Sequence, residues 1–145
     1  MTYRLNEFQF QLPPGDVLDA SINILKFPEL GTSLIVSRSL LADGETLQSN
    51  LDDQLQRLEK QVQDLRCQPG VAVRLGENGE VEGVELRSQF HKGNEKVFQY
   101  QLALVLPGTR KMLALSYVKA DTLGDAEAAH WATIKHSLVF DVPAR

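Results

Sequence analysis

The chain has 145 residues, 43% hydrophobic and 23% charged, with a net charge of −4. That length predicts one domain over residues 1–145, and the intermixed acids and bases exclude the basic stripe that nucleic-acid binding requires. The single cysteine, Cys67, excludes an intramolecular disulfide, and no apolar run approaches the roughly 18 residues of a membrane span.

Met1 runs directly into Tyr3, Arg4 and Leu5 without a charged-then-apolar segment. The expectation is a cytoplasmic protein with no signal peptide, lipid anchor or direct membrane anchoring. Tyr3 to Leu12 alternates, with one slip near Asn6, and reads as a strand ended by Pro13-Pro14-Gly15. Asp19 to Phe27 is a second strand, with Ala20, Ile22 and Ile24 on one face and Asn23, Leu25 and Phe27 on the other. Pro28 to Gly31 turns the chain into a third strand, Ser33 to Leu41, β-branched at Ile35 and Val36.

Thr46 to Leu65 carries the clearest helical period. Leu47, Leu51, Leu55, Leu58, Val62 and Leu65 recur at spacings of three and four. Thr46 and Ser49 are both candidate N-caps. Pro69-Gly70 closes the element. A meander follows: Val71 to Glu77 and Glu80 to His91 flank Asn78-Gly79, a strong hairpin signal. His91 to Asn94 turns into the strand Val97 to Leu106, and Pro107-Gly108 suits a type II turn into Arg110 to Lys119. Gly124 to Leu138 reads as a second helix, with Ala128, Trp131, Ile134 and Leu138 on one side, and Phe140 and Val142 form an apolar tail.

Strands and helices fall in separate runs, so the fold class is α+β: an antiparallel sheet of about seven strands with two helices. The long strand has two greasy faces. Phe98, Tyr100, Leu102, Leu104 and Leu106 form one; Val97, Gln99, Gln101, Ala103 and Val105 form the other. Met112 to Val118 is apolar on both faces as well. Two helices can cover one face of such a sheet. Both helices are therefore expected on the same face, leaving an apolar face for a partner.

Catalytic chemistry finds no constellation. His130 and His136 lie six residues apart, about 120° around a helix, so they do not form a two-ligand metal face. Cys67 reads as a small hydrophobe. Glu77, Glu80, Glu82 and Glu85 straddle a hairpin tip, where solvated acids keep a sheet edge soluble. Trp131 reads as a core anchor. Gln99 and Gln101 stand out: two amides among Val97, Ala103 and Val105, able to satisfy polar atoms of a bound segment without burying charge. The expectation is a non-enzymatic protein with no cofactor and no metal. A docking adaptor for a folded protein and a small-molecule carrier stay open beside it, with a hydrolase as a third class.

Three stretches carry a resemblance. They are the amphipathic helix after Asp43-Gly44-Glu45-Thr46-Leu47, the strand Phe98-Gln99-Tyr100-Gln101-Leu102, and the closing run from Trp131 to Phe140. Their order and spacing resemble the DcrB-like proteins of the PsbP-like fold. Within them the chain is most similar to the Eag chaperones, effector-associated proteins of bacterial type VI secretion, and among these to the Pseudomonas member. The resemblance implies a homodimer that holds the N-terminal transmembrane segments of an effector and aids its loading onto the secretion spike. It carries a client-binding role onto Ile22, Ile24 and Gln101. Face parity extends the same role to Val36, Gln99 and Ala103.

Overall fold

The structure is a computed structural model, and it describes residues 1–141. Val142, assigned to the apolar tail by sequence, lies outside the described residues. In chain order the elements are β1 (Thr2–Arg4), β2 (Gln9–Gln11), β3 (Asn23–Phe27), β4 (Thr32–Leu40), α1 (Leu47–Gln61) and β5 (Gln63–Cys67). They continue with β6 (Val71–Leu75), β7 (Val81–Lys92), β8 (Glu95–Val105), β9 (Lys111–Lys119) and α2 (Asp125–His136). This is an α+β fold. A seven-stranded sheet runs in the order β3-β4-β9-β8-β7-β5, with β6 also paired to β7 and every pairing antiparallel.

The turns do what their residues dictate. Leu106-Pro107-Gly108-Thr109 closes with Thr109 N–H donating to the Leu106 carbonyl at 3.1 Å, and Gly108 sits at φ 73°. A type II turn needs that positive φ, which glycine adopts without a Cβ penalty. At the start of α1, Thr46 Oγ1 accepts from Ser49 N–H at 3.1 Å and Ser49 Oγ accepts from Thr46 N–H at 2.9 Å. The two candidate caps are thus halves of one reciprocal box. At the start of α2, Glu127 Oε1 accepts from the Gly124 N–H at 2.7 Å.

The main core sits between α2 and one face of the sheet. Trp131 is 2% exposed and stacks on Tyr100 and Tyr117, with ring centroids 6.1 and 5.8 Å away. Leu34, Leu102, Leu104 and Leu115 complete the cluster. The indole N–H of Trp131 donates to Glu85 Oε2 at 2.7 Å, and Lys135 Nζ meets the same oxygen at 2.7 Å. Burial alone would push the Glu85 pKa up, but these donors outweigh it and hold the carboxyl below the usual range. Glu85 is therefore a buried latch for α2, not the solvated tip acid its neighbours Glu77, Glu80 and Glu82 suggest.

The architecture corrects three further expectations. The segment read as one strand from Tyr3 to Leu12 is a hairpin, Thr2 opposite Gln11, separate from the main sheet. The slip at Asn6 is the reversal itself, with Leu5 N–H donating to the Phe8 carbonyl at 2.9 Å. The first helix ends at Gln61, not Leu65: Val62 is extended, and Gln63–Cys67 pairs with β7 instead. Val62 and Leu65 keep the helical spacing, yet ladder bonds to β7 outweigh a weak local propensity.

The helices also lie on opposite faces. α2 covers the face of Tyr100, Leu102 and Leu104, whereas Leu47 and Leu51 of α1 pack on Ala103 and Met112. The reason is the exit from β4. Leu41 lies in the cluster with Ala103 and Met112, so the chain enters α1 on that side.

Candidate functional site

Strand register builds one long row across the sheet face under α1. Ile24 opposes Ile35, Ile35 opposes Ser116, Ser116 opposes Gln101 and Gln101 opposes Leu86. The adjacent row runs Ser37, Ala114, Ala103, Val84. Small side chains thus line the middle of this face, with Ile24 and Ile35 on one flank and Leu86 and Phe90 on the other.

Between this floor and α1 lies a groove of ≈ 740 Å³, bounded by Leu51, Leu55 and Leu58 above and by Gln99, Gln101 and Ala103 below. The amides are preorganised. Gln99 is 8% exposed and its Nε2 donates to Ser88 Oγ at 2.8 Å; Gln101 Nε2 donates to Ser116 Oγ at 3.3 Å. Each amide uses one of its two N–H donors this way, so the stripe keeps hydrogen-bonding capacity beside the leucines of α1, in a groove that Gln48, Asp52 and Arg57 also line. Cys67 and Pro69 close one end. The Cys67 Sγ lies 3.4 Å from the Gln68 carbonyl, and burial pushes its thiol up, away from the nucleophilic thiolate.

The six residues singled out by sequence do not all meet here. Gln99, Gln101 and Ala103 line the groove. Ile24 extends their row at the edge strand and is 57% exposed; Ile22, just before β3, is 62% exposed. Val36 is the exception: it opposes Leu115 and packs into the Trp131 core on the other face. Phe27 pairs with Thr32 across the turn, a register that puts Ile35 rather than Val36 level with Ile24. Ile35, Leu86, Ser88 and Ser116 escaped the sequence reading. The signal for Ile35 was present: a four-residue connection, 28–31, between the paired Phe27 and Thr32 fixes the hairpin register.

A second apolar feature lies in the N-terminal segment. In the first 18 residues Leu5, Phe8, Phe10, Val17 and Leu18 are each at least 45% exposed. The hairpin is tied to the sheet through polar groups: Tyr3 Oη donates to Asp19 Oδ2 at 2.9 Å, and Arg38 donates to the Ser21 carbonyl and to Asn23 Oδ1 at 3.1 and 2.7 Å. The Ser21 hydroxyl and N–H, with Tyr3, hold the Asp19 carboxyl near about 2, below its ordinary 3.8. A depressed folded pKa makes this tether complete above about 3.8 and lost as pH falls through about 2. NMR titration should find the Asp19 midpoint close to 2, and Ser21→Ala should move it upward; a midpoint near 3.8 in the parent protein would mean the tether does not form in solution.

The DcrB family profile matches residues 7–137 of the chain. No curated protein matches it. A solved structure from Pseudomonas aeruginosa, described as a protein of unknown function and candidate regulator, is similar across 99% of this chain and 98% of its own. The two share 21% sequence identity at a TM-score of 0.74, a likeness of fold.

Proposed function

The chain belongs to the DcrB family, and on that premise we propose that it is a cytoplasmic, non-enzymatic chaperone for apolar helices. Its client is the N-terminal transmembrane segment of a type VI secretion effector, held for loading onto the secretion spike. The observation that carries this reading is the groove under α1, with Leu51, Leu55 and Leu58 facing Ala103, Leu86 and Phe90 across it and amides already bonded to serines along its floor. No helix among the described residues is long and apolar enough to cross a membrane, so an apolar helix held here comes from another chain.

The energetics suit the role. A transmembrane helix exposes about 20 apolar residues in water. Covering 600 Å² of that surface, an illustrative area, contributes about 15 kcal/mol gross at roughly 25 cal/mol per Å², before ordering costs. Release to a bilayer needs no ATP, because lipid satisfies the same surface. The test is co-expression with an effector fragment containing its apolar N-terminal helices. The fragment should stay in the supernatant after ultracentrifugation only when this protein is present. A fragment that sediments equally with and without it removes the proposal.

The same reading makes the working unit a homodimer. The hairpin and β3 both expose large apolar residues, Phe8, Phe10, Ile24 and Leu25 among them, and monomers rarely leave large apolar patches in water. Light scattering at micromolar concentration should give twice the 16.2 kDa protomer mass, and the single mass would contradict the dimer.

A further inference from the structure

α1 is an amphipathic helix that buries none of its residues. Leu55 is 36% exposed although it faces the groove. The helix packs on the floor at its N-terminal end, while its other end is held only through the chain, Val62 leading into β5. Leu47 and Leu51 pack with Leu41, Ala103 and Met112; Glu45 Oε1 accepts from the Ala42 N–H at 3.0 Å; and Arg110 pairs with Asp43 just ahead of the first turn. Beyond Leu51 the helix bridges open space.

Its far end joins β5 through irregular backbone. Asp64 sits at φ 55°, among the described residues the one non-glycine with positive φ, and the β5–β7 register shifts between Gln63 and Arg66. Aspartate tolerates this conformation better than most residues, so the joint suits a hinge more than a rigid continuation.

Size adds a second constraint. From helix diameter and rise, ≈ 740 Å³ accommodates about four to six residues of a helix. A spanning segment has about 20. With α1 down, the groove encloses only a fraction of such a client.

We propose that α1 is a displaceable lid, a built-in surrogate whose leucines cover the Gln101–Ala103 floor until a client helix evicts its C-terminal half. This rests on the groove being the client site. The helix tilts about its packed Leu47–Leu51 turns, and Leu55, Leu58 and Gln61 lift from the floor as the Asp64 joint gives and the Gln63–His91 pair ahead of the register shift opens. The closed lid then lowers apparent affinity by the fraction of time it is shut, which keeps weakly apolar segments out.

The experiment uses the full chain and a dye-labelled 20-residue Leu/Ala helix with lysine ends. Leu55→Ser with Leu58→Ser weakens the lid's hold without touching the floor. Binding of the peptide should tighten by about tenfold or more, as expected if the lid is shut nine-tenths of the time or longer. Hydrogen exchange on the parent protein gives an independent reading if the variant folds poorly. Amides of residues 55–61 should exchange faster once peptide is added, while those of Gln99 to Ala103 slow. Unchanged or weaker binding by a folded variant, or slower exchange at 55–61, makes α1 a fixed wall and overturns the lid while leaving the groove. Peptide that binds neither parent nor variant removes the groove as client site, and the lid with it.

Discussion

Replacing Ile22 and Ile24 together with Asp should abolish capture of an apolar helix and leave the fold intact. Both side chains are more than half exposed, at 62% and 57%, so neither substitution opens a core cavity. Ile24 shares its row with Ile35, Ser116 and Gln101. An aspartate there must lose water against an apolar client, and Lys26, two residues on along the same face, can pair with one of the two at most. Each unpaired charge costs several kcal/mol, and about 2.8 kcal/mol already means a hundredfold loss. Peptide affinity should therefore fall beyond about a hundredfold, with the circular dichroism spectrum and urea midpoint near those of the parent. Gln101→Ala should cost less, about 1–3 kcal/mol where it leaves a client polar group unpaired. Val36→Asp supplies the contrast: it faces the Trp131 core and should lower the urea midpoint first. Parent-like affinity in the double-Asp protein would move the client site off this face.

Trp131→Ala should remove about 3–5 kcal/mol of stability, the range for truncating a buried aromatic. Against a typical total of about 5–15 kcal/mol, that is about a fifth or more of the fold's reserve. The side chain is 2% exposed and bridges Tyr100, Tyr117 and the Glu85 carboxylate. Truncation leaves a cavity under α2 and takes from Glu85 one of its two donors. Trp131→Phe separates these effects, because it keeps most of the packing and loses the hydrogen bond to a charged acceptor, about 1.5–3 kcal/mol. Equilibrium urea unfolding measures both. A Trp131→Ala protein as stable as the parent would mean that α2 is not anchored through this residue.

Local chemistry made much of the fold legible. Asn78-Gly79 and Pro107-Gly108 marked their turns, the two-sided grease of the long strand marked a central position, and Trp131 marked the core. These signals are short-range, and the backbone reads them directly. The misses all depend on long-range geometry. Nothing between residues 46 and 65 says that a ladder with β7 will claim Gln63–Cys67 from the helix. Nor does an amphipathic stripe say which sheet face it will meet; the exit at Leu41 decides that. The candidate site suffered in the same way. Gln99, Gln101 and Ala103 came from parity within one strand and share the groove, whereas Val36 required register between strands and lay on the other side.

Sheet order also sets a timetable. β4 pairs with β9, Leu40 opposite Lys111 and Thr32 opposite Lys119. A nascent chain therefore carries the finished β3–β4 hairpin long before the strand that flanks it exists. At about 5–20 residues per second, Leu40 waits roughly 4 to 14 s for Lys111 to be made. Through that interval the hairpin shows an open edge to a crowded ribosome surface, the condition in which strands pair with neighbours of the wrong chain. Ser33, Ser37 and Ser39 alternate along one side of β4, and Lys26 stands on the same side of β3. These polar side chains, set among Ile24 and Ile35, dilute the stickiness of the waiting hairpin. Ser37, in one row with Ala114 and Ala103 in the finished sheet, thus also guards the unfinished one during its synthesis.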